Sequence, residues 1–168
     1  MEETPHFASG TWKLTRSENF GSYCRCMGVC WLKRKLGFLI CPCQTIRVTR
    51  GRWSICTSSP VGQTDVQLIE GQECTWLTYD GRMVRTSVNL ENDQLVLHQL
   101  DPPFSKITRT FDEQTMVMTL EANGVKAKRI YQKLDTTDVT DGKASGWSRI
   151  LLFASVCLSA VSLALYSQ

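Results

Sequence analysis

The sequence predicts an all-β fold, an antiparallel meander of short strands arranged as a sandwich or a barrel. From about Gly10 to Leu134, short runs of alternating polar and apolar residues are separated by turn signals. The pair Asn123-Gly124 lies between two such runs, and an Asn-Gly step in this setting is a strong β-hairpin signal. Similar breaks recur along the chain, which is typical of antiparallel sheets. They are Arg50-Gly51, Asp80-Gly81, Glu91–Asp93 and Pro102-Pro103.

Length and composition indicate one domain with an appendage. The chain has 168 residues, of which 42% are hydrophobic, enough for one substantial core. Its net charge of +3 is spread along the chain, which argues against a dedicated nucleic-acid binder. The segment Met1 to Gly10 contains two acids and no apolar run, so we expect no secretory signal and a cytosolic domain. In that compartment the eight cysteines are expected to be reduced thiols.

The segment from Ser17 to Leu39 interrupts the strand pattern. Either Ser17 or Asn19 could cap a helix, and Gly28 divides the segment into two parts. We therefore expect two short helices joined by a turn, inserted after the first strand. Helices in this position would form a lid over one end of a barrel.

The composition changes twice after the last predicted strand. Residues 135–148 are mainly polar, and the run from Ile150 to Tyr166 contains no charged residue. As a helix, that run would be about 26 Å long, at the lower limit for crossing a hydrocarbon core of roughly 30 Å. We predict a polar linker at 135–148 and a C-terminal hydrophobic helix at 149–168 that acts as a transmembrane tail anchor. A buried or loosely attached C-terminal helix and a divergent terminus that never inserts are the alternatives.

Two stretches at opposite ends of the predicted meander resemble one known family. They are GTWKLTRSENF, Gly10 to Phe20, and TRTFDEQTMVMTLEANGVKAKRIYQKL, Thr108 to Leu134. Both are similar to the intracellular lipid-binding proteins, which include fatty-acid-binding and cellular retinoid-binding proteins, and most of all to the epidermal and myelin type. The resemblance implies that residues 1–134 form a ten-stranded antiparallel up-and-down β-barrel with a helix-turn-helix lid and an internal cavity.

The last predicted strand carries the residues with the clearest chemistry. Arg129 and Tyr131 are two positions apart and so share one face, while Lys128 and Gln132 share the other. An inward guanidinium is costly unless it meets an anion, and its planar donor fork suits a carboxylate, to which the Tyr131 hydroxyl would add another donor. Ordinary surface arginines on edge strands are the alternative from periodicity alone. The resemblance adds Arg109 as the family's second cavity arginine and implies an acidic ligand, because retinol-binding members carry amides there.

Further candidates lie at the predicted lid and portal. Lys33, Arg34 and Lys35 could attract anionic lipid headgroups, each contributing roughly 1 kcal/mol near a charged surface, although a solvated helix face explains them equally well. The resemblance associates such a basic lid with transfer to membranes and with nuclear import. It also places three residues near the ligand portal: Val61, Asp80 and Arg82.

Five cysteines fall within or beside the predicted lid: Cys24, Cys26, Cys30, Cys41 and Cys43. Their Cys-x-Cys spacing is poor for structural zinc, which prefers two to four residues between paired ligands. We therefore predict plain packing and no metal. Metal binding and thiol modification or acylation near a membrane are the alternatives.

No nucleophile elbow, zinc-binding histidine motif, phosphate loop or dinucleotide fingerprint appears, so we predict no enzyme and no cofactor. The predicted function is the intracellular binding and transport of a long-chain fatty acid or similar acidic lipid by a monomeric barrel close to a membrane. A retinoic-acid carrier and a ligand-free, tail-anchored scaffold are the alternatives. A nuclear location would follow if the tail does not insert.

Overall fold

The computed structural model describes residues 6–60, 62–78 and 81–134. These residues contain two helices, α1 (Phe20–Cys26) and α2 (Trp31–Leu39), which follow the first strand. The strands in chain order are β1 (Gly10–Glu18), β2 (Cys43–Thr49), β3 (Arg52–Ser59), β4 (Gly62–Ile69), β5 (Glu73–Leu77), β6 (Met83–Glu91), β7 (Gln94–Gln99), β8 (Ser105–Phe111), β9 (Thr115–Ala122) and β10 (Val125–Leu134).

The strands form a single antiparallel sheet that curls into a nearly closed barrel. Their order is β4-β3-β2-β1-β10-β9-β8-β7-β6-β5, so almost every strand pairs with its neighbour in the chain. The exception is the pairing of β1 with β10, which brings the two ends of the domain together. Strands β4 and β5 end the order and share no pairing ladder in the described residues. The barrel alternative is confirmed, together with the ten strands that the family resemblance implied.

Three hairpins turn where the sequence predicted. Asn123 and Gly124, between β9 and β10, have φ angles of 45° and 76°. Two-residue turns with positive φ match the right-handed twist of the strands they join, and Asn and Gly adopt them at low cost. The predicted breaks after β2 and β6 have the same backbone form, with positive φ at both central residues: Arg50-Gly51 and Asn92-Asp93.

The lid follows the predicted plan, although its cap differs. Asn19 occupies the N-cap position of α1, but its side chain makes no capping bond. Its Nδ2 instead donates to the carbonyl oxygen of Lys126 at 2.8 Å, which ties the start of the lid to β10. Ser17 was wrong as a candidate cap, because it belongs to β1 and pairs with Arg129. Helix α1 packs against β9 and β10.

Aromatic side chains close the barrel at the end away from the lid. Phe111 ends β8, and its ring centroid lies 5.7 Å from that of Trp12 and 6.1 Å from that of Trp53. Both tryptophans are fully buried. The opposite end of β8 meets the lid, where the hydroxyls of Ser105 and Tyr23 are 2.8 Å apart. The interior therefore lies between an aromatic floor and a helical lid.

The predicted linker at 135–148 and the predicted C-terminal helix at 149–168 lie outside the described residues. Within the part of the chain that is described, no helix has the length and apolar character needed to cross a membrane.

Candidate functional site

A cavity lies beneath the lid, with about 1340 Å³ of empty space when its mouth is included. Most of the wall is apolar, and ligand sites of this kind typically use a few polar groups to orient the bound molecule. Apolar lining residues come from strands all around the barrel: Ile55, Val66, Leu68, Leu97, Ile107, Met118 and Leu120. The polar lining side chains include Gln44, Gln99, Arg109 and Arg129.

The register of three strands places the two arginines together. Arg109 on β8 and Arg129 on β10 both pair with Met118, which lies on β9 between them. Residues directly opposite one another point to the same face, so both arginines share the inward face with Met118. At nearly 5 Å between strands, their Cα atoms are about 10 Å apart. Both side chains line the cavity.

Arg109 is a buried cation without a counterion among the described residues. Its side chain is only 7% exposed, and its Nε donates to Gln44 Oε1 at 3.4 Å. Its Nη1 has no hydrogen-bond partner in the described residues. Burial lowers the pKa of Arg109 to about 10, because removal from water disfavours the charged form. The guanidinium therefore still carries its charge at neutral pH.

Arg129 is held between two aromatic rings. Its Cζ lies 4.4 Å from the ring centroid of Phe20, at the start of α1, and 5.8 Å from that of Tyr131. Aromatic faces attract a cation but leave its N–H donors unused. The Nε of Arg129 is buried and has no hydrogen-bond partner within the described residues.

Tyr131 lies on β10, two residues after Arg129. Its side chain is fully buried, and its hydroxyl has no hydrogen-bond partner in the described part of the chain. Burial raises the pKa of Tyr131, and the charges of Arg129 and Arg109 oppose that rise only in part. The hydroxyl is therefore protonated at neutral pH and can donate. Tyr131 is not one of the described side chains that line the cavity, so it differs from the arginines in this respect.

The three basic residues predicted on the lid, Lys33, Arg34 and Lys35, do not form a single cationic site. Successive residues on a helix point in different directions, and the three side chains accordingly have different surroundings. Lys33 lines the cavity. Arg34 Nη1 donates to the carbonyl oxygen of Val29 at 2.8 Å, and Lys35 Nζ lies 5.2 Å from the ring centroid of Trp31.

The portal candidates are described only in part. Arg82 lines the cavity, and its backbone N–H donates to Thr78 Oγ1 at 3.1 Å. The hydroxyl of Thr78 in turn donates to the carbonyl oxygen of Arg82 at 3.0 Å, which holds the turn between β5 and β6. Val61 and Asp80 lie outside the described residues.

Several known proteins are similar to this chain in sequence. The sodium/calcium exchanger regulatory protein 1 of Doryteuthis pealeii is 34% identical over 127 residues, which cover 76% of this chain and 96% of that protein. Human fatty acid-binding protein 9 is 32% identical over 126 residues, which cover 74% of this chain and 96% of that protein. The chain belongs to the intracellular lipid-binding family.

Solved structures of this lipid-binding family agree with the assignment. A REP1-NXSQ fatty acid transporter has a TM-score of 0.73 and 34% identity, with 76% of this chain and 96% of that chain covered. A fatty acid binding protein of Schistosoma mansoni, solved in complex with arachidonic acid, has a TM-score of 0.74 and 30% identity, covering 77% and 97%. No family model matches the chain. The particular likeness to the epidermal and myelin type stays a prediction.

Two glutamines that line the cavity, Gln44 and Gln99, were not predicted from the sequence. Gln44 lies on β2 two residues before Ile46, and Gln99 lies on β7 two residues after Leu97. Each glutamine is buried like the apolar residue whose strand face it shares. Strand periodicity was the available signal, because a polar residue in phase with buried apolar residues points inward.

The cysteines of this chain that the structure describes are free thiols. Cys24 is buried in the core, as the packing prediction required. That prediction is wrong for Cys30 and Cys41, which are exposed because they lie at the N-cap of α2 and just before β2. The described residues contain no group of three or more side chains placed to hold a metal ion.

Proposed function

We propose that the barrel binds a long-chain fatty acid or a similar acidic lipid in its cavity and carries it within the cell. The observation that supports this most directly is Arg109, a buried cation that faces an apolar cavity and has no counterion among the described residues. Such a cation is costly unless an anion offsets the lost hydration. A fatty acid supplies that anion at the end of an apolar chain that matches the wall.

The proposed carboxylate ligands are Arg109, Arg129 and Tyr131. The two arginines pair with Met118 from opposite sides, and the guanidinium of each has a buried N–H without a hydrogen-bond partner in the described residues. A carboxylate accepts several such bonds at once, and charge-assisted bonds are the stronger kind. The unpartnered hydroxyl of Tyr131 is a third donor. An alcohol carries no charge to offset the cations, so acids are favoured.

The relatives support the same class of ligand. Three of the four relatives named above are described as fatty-acid-binding or fatty-acid-transporting proteins, and one of the three was solved with arachidonic acid. Because these relatives are described as binding and transport proteins, we propose a carrier and no catalysed reaction. Neither described histidine lines the cavity: His6 belongs to the aromatic floor, and His98 lies on β7 between two inward residues.

Ligand displacement tests the proposal. The purified full-length chain should bind a fluorescent fatty-acid analogue, and long-chain fatty acids should displace it far better than the fatty alcohol of equal length. Retinoic acid is tested in the same assay, because its carboxylate could use the same donors. If no analogue binds, or if acid and alcohol compete equally, the acidic-lipid proposal is wrong, and the ligand-free scaffold would be the alternative.

We further propose that the barrel lies in the cytosol and is tethered to a membrane by residues 149–168 through the linker 135–148. The support is the uncharged run from Ile150 to Tyr166. Carbonate extraction of membranes should leave the full-length protein in the pellet and release a chain truncated before Asp135. Release of the full-length protein would refute the anchor. A nuclear location of the full-length chain would fit the alternative of an uninserted tail.

A further inference from the structure

Gln99 on β7 is a polar side chain that the proposed carboxylate site does not use. It is 5% exposed and lines the cavity. Its Oε1 is buried and has no hydrogen-bond partner among the described residues. Most buried acceptors in native proteins are paired, so an unpaired one on a side chain that lines a ligand cavity points to a ligand that supplies the donor.

The neighbours of Gln99 already have hydrogen-bond partners. In the sheet, Gln99 pairs with Thr86 on one side and with Ser105 on the other. Thr86 Oγ1 accepts from the indole Nε1 of Trp76 at 3.0 Å. The hydroxyl of Ser105 lies 2.8 Å from that of Tyr23 on the lid. Both flanking hydroxyls thus bond other elements, neither is a hydrogen-bond partner of the amide oxygen, and the side chain of Gln99 lines the cavity.

The position of Gln99 relative to the arginines limits where a ligand donor can lie. Ser105 and Arg109 are on the same strand, four residues apart, and Gln99 pairs with Ser105. Four residues of strand span about 13 Å. Between these levels lie Ile107 and Leu97, which pair with each other and line the cavity. Along the barrel wall from Arg109 to Gln99, a cationic level is therefore followed by an apolar level and then by a hydrogen-bond acceptor.

We propose that the preferred ligand is a long-chain fatty acid with a hydroxyl group near the middle of its chain, whose O–H donates to Gln99 Oε1. This inference rests on the proposed function, because the arginine site must hold the carboxylate. A hydroxyl or amide adjacent to the carboxylate cannot reach Gln99 across the apolar level. An unsubstituted chain can reach Gln99 but leaves its acceptor unpaired. A site built around a hydrogen bond discriminates against ligands that lack the donor.

The test compares affinities of related acids for the full-length protein by isothermal titration calorimetry. The probes are stearic acid, a hydroxystearic acid substituted in mid-chain, and one substituted next to the carboxylate. Wild-type protein should bind the mid-chain isomer about tenfold more tightly than the other two, the effect of one buried hydrogen bond. Gln99→Met, which keeps the side-chain length, should abolish that preference, so that the variant binds the three acids with equal affinity. Gln132→Met makes the same change on the exposed face of β10 and should leave the preference intact.

The two proposals fail in different ways. Equal binding of the positional isomers by wild-type protein, or a preference that survives Gln99→Met, overturns the assignment of Gln99 and leaves the fatty-acid proposal standing. Failure of all three acids to bind overturns both proposals. The comparison between isomers needs no variant, so the preference for a mid-chain hydroxyl is tested even if Gln99→Met does not fold.

Discussion

The guanidinium carbon of Arg129 lies 4.4 Å from the ring centroid of Phe20, and this contact joins the cavity wall to the first residue of the lid. Helix α1 is also anchored by the hydrogen bond between Tyr23 and Ser105. The side chain proposed to bind the ligand carboxylate is therefore one of the groups that position the lid. Predictions for the lid and for the ligand can be tested with the same variants.

Phe20→Leu should weaken the lid without emptying the space beside Arg129. Leucine retains apolar volume but lacks the aromatic face, so the cation–π contact, worth about 0.5 to 2 kcal/mol, is lost. A double-mutant cycle with Arg129→Met, measured by urea unfolding, should give a coupling free energy of that size. Phe20→Tyr keeps the ring and should preserve the coupling. A coupling free energy near zero would show that the contact contributes nothing.

Arg109→Gln should have opposite effects on binding and on stability. Loss of charge-assisted hydrogen bonds should weaken fatty-acid binding by about 1.5 to 3 kcal/mol, or roughly 10- to 150-fold in Kd. The ligand-free protein should become more stable, because a buried cation without a counterion in the described residues is removed. Arg47→Gln is the matched control on an exposed position of β2 and should change neither quantity appreciably. Equal losses of affinity in both variants would contradict the assigned role of Arg109.

Fatty-acid affinity should be constant near neutral pH and fall above about pH 10. The pKa of Arg109 is lowered to about 10, so the ligand-free site loses a positive charge as the pH rises through that value. Carboxylate binding favours the protonated guanidinium, which is why affinity falls in this direction. Titrations of binding against pH should show the decline in wild type and in Tyr131→Phe, but not in Arg109→Gln. A decline that persists in Arg109→Gln would assign it to another group.

The lowered pKa of Arg109 also affects the stability of the ligand-free protein, and there its effect rises with pH, whereas ligand affinity falls. Between about pH 10 and the higher, ordinary pKa of an arginine, the unfolded chain binds the Arg109 proton and the folded chain has released it. This contribution to stability therefore rises with pH in that window. The pKa of Tyr131 is raised by burial, so its contribution falls as the pH rises above its ordinary value of 10.0. Urea unfolding at several pH values should show a steeper gain in Tyr131→Phe than in wild type.

Tyr131→Phe should reduce affinity while sparing the fold. The hydroxyl has no hydrogen-bond partner in the described residues, so its removal leaves the ligand-free protein at least as stable. Fatty-acid binding should weaken by about 0.5 to 1.5 kcal/mol if the hydroxyl donates to the carboxylate. Tyr23→Phe is the contrasting variant, because it removes the bond to Ser105 and should lower the free energy of unfolding by about 1 kcal/mol. Unchanged ligand affinity in Tyr131→Phe would remove this residue from the site.

Local sequence patterns were sufficient for much of the fold. The Asn123-Gly124 turn and the shared face of Arg129 and Tyr131 depend on residues next to one another, so the sequence contains the whole signal. The lid start was only partly predictable. Asn19 has the correct position, but its side chain donates to Lys126, 107 residues away, instead of capping the helix.

By itself, the sequence determined a meander with an inserted helical pair and, through strand alternation, the shared face of Arg129 and Tyr131 near its end. Closure of the sheet, by pairing of β1 with β10, was decided by tertiary structure. So was the alignment of Arg109 and Arg129 on either side of Met118, as well as the contact of Arg109 with Gln44, 65 residues away. The unpaired acceptor of Gln99 likewise depends on which neighbours Thr86 and Ser105 bond. Alternation identifies the face of a strand, but register and hydrogen-bond partners arise only when distant strands meet.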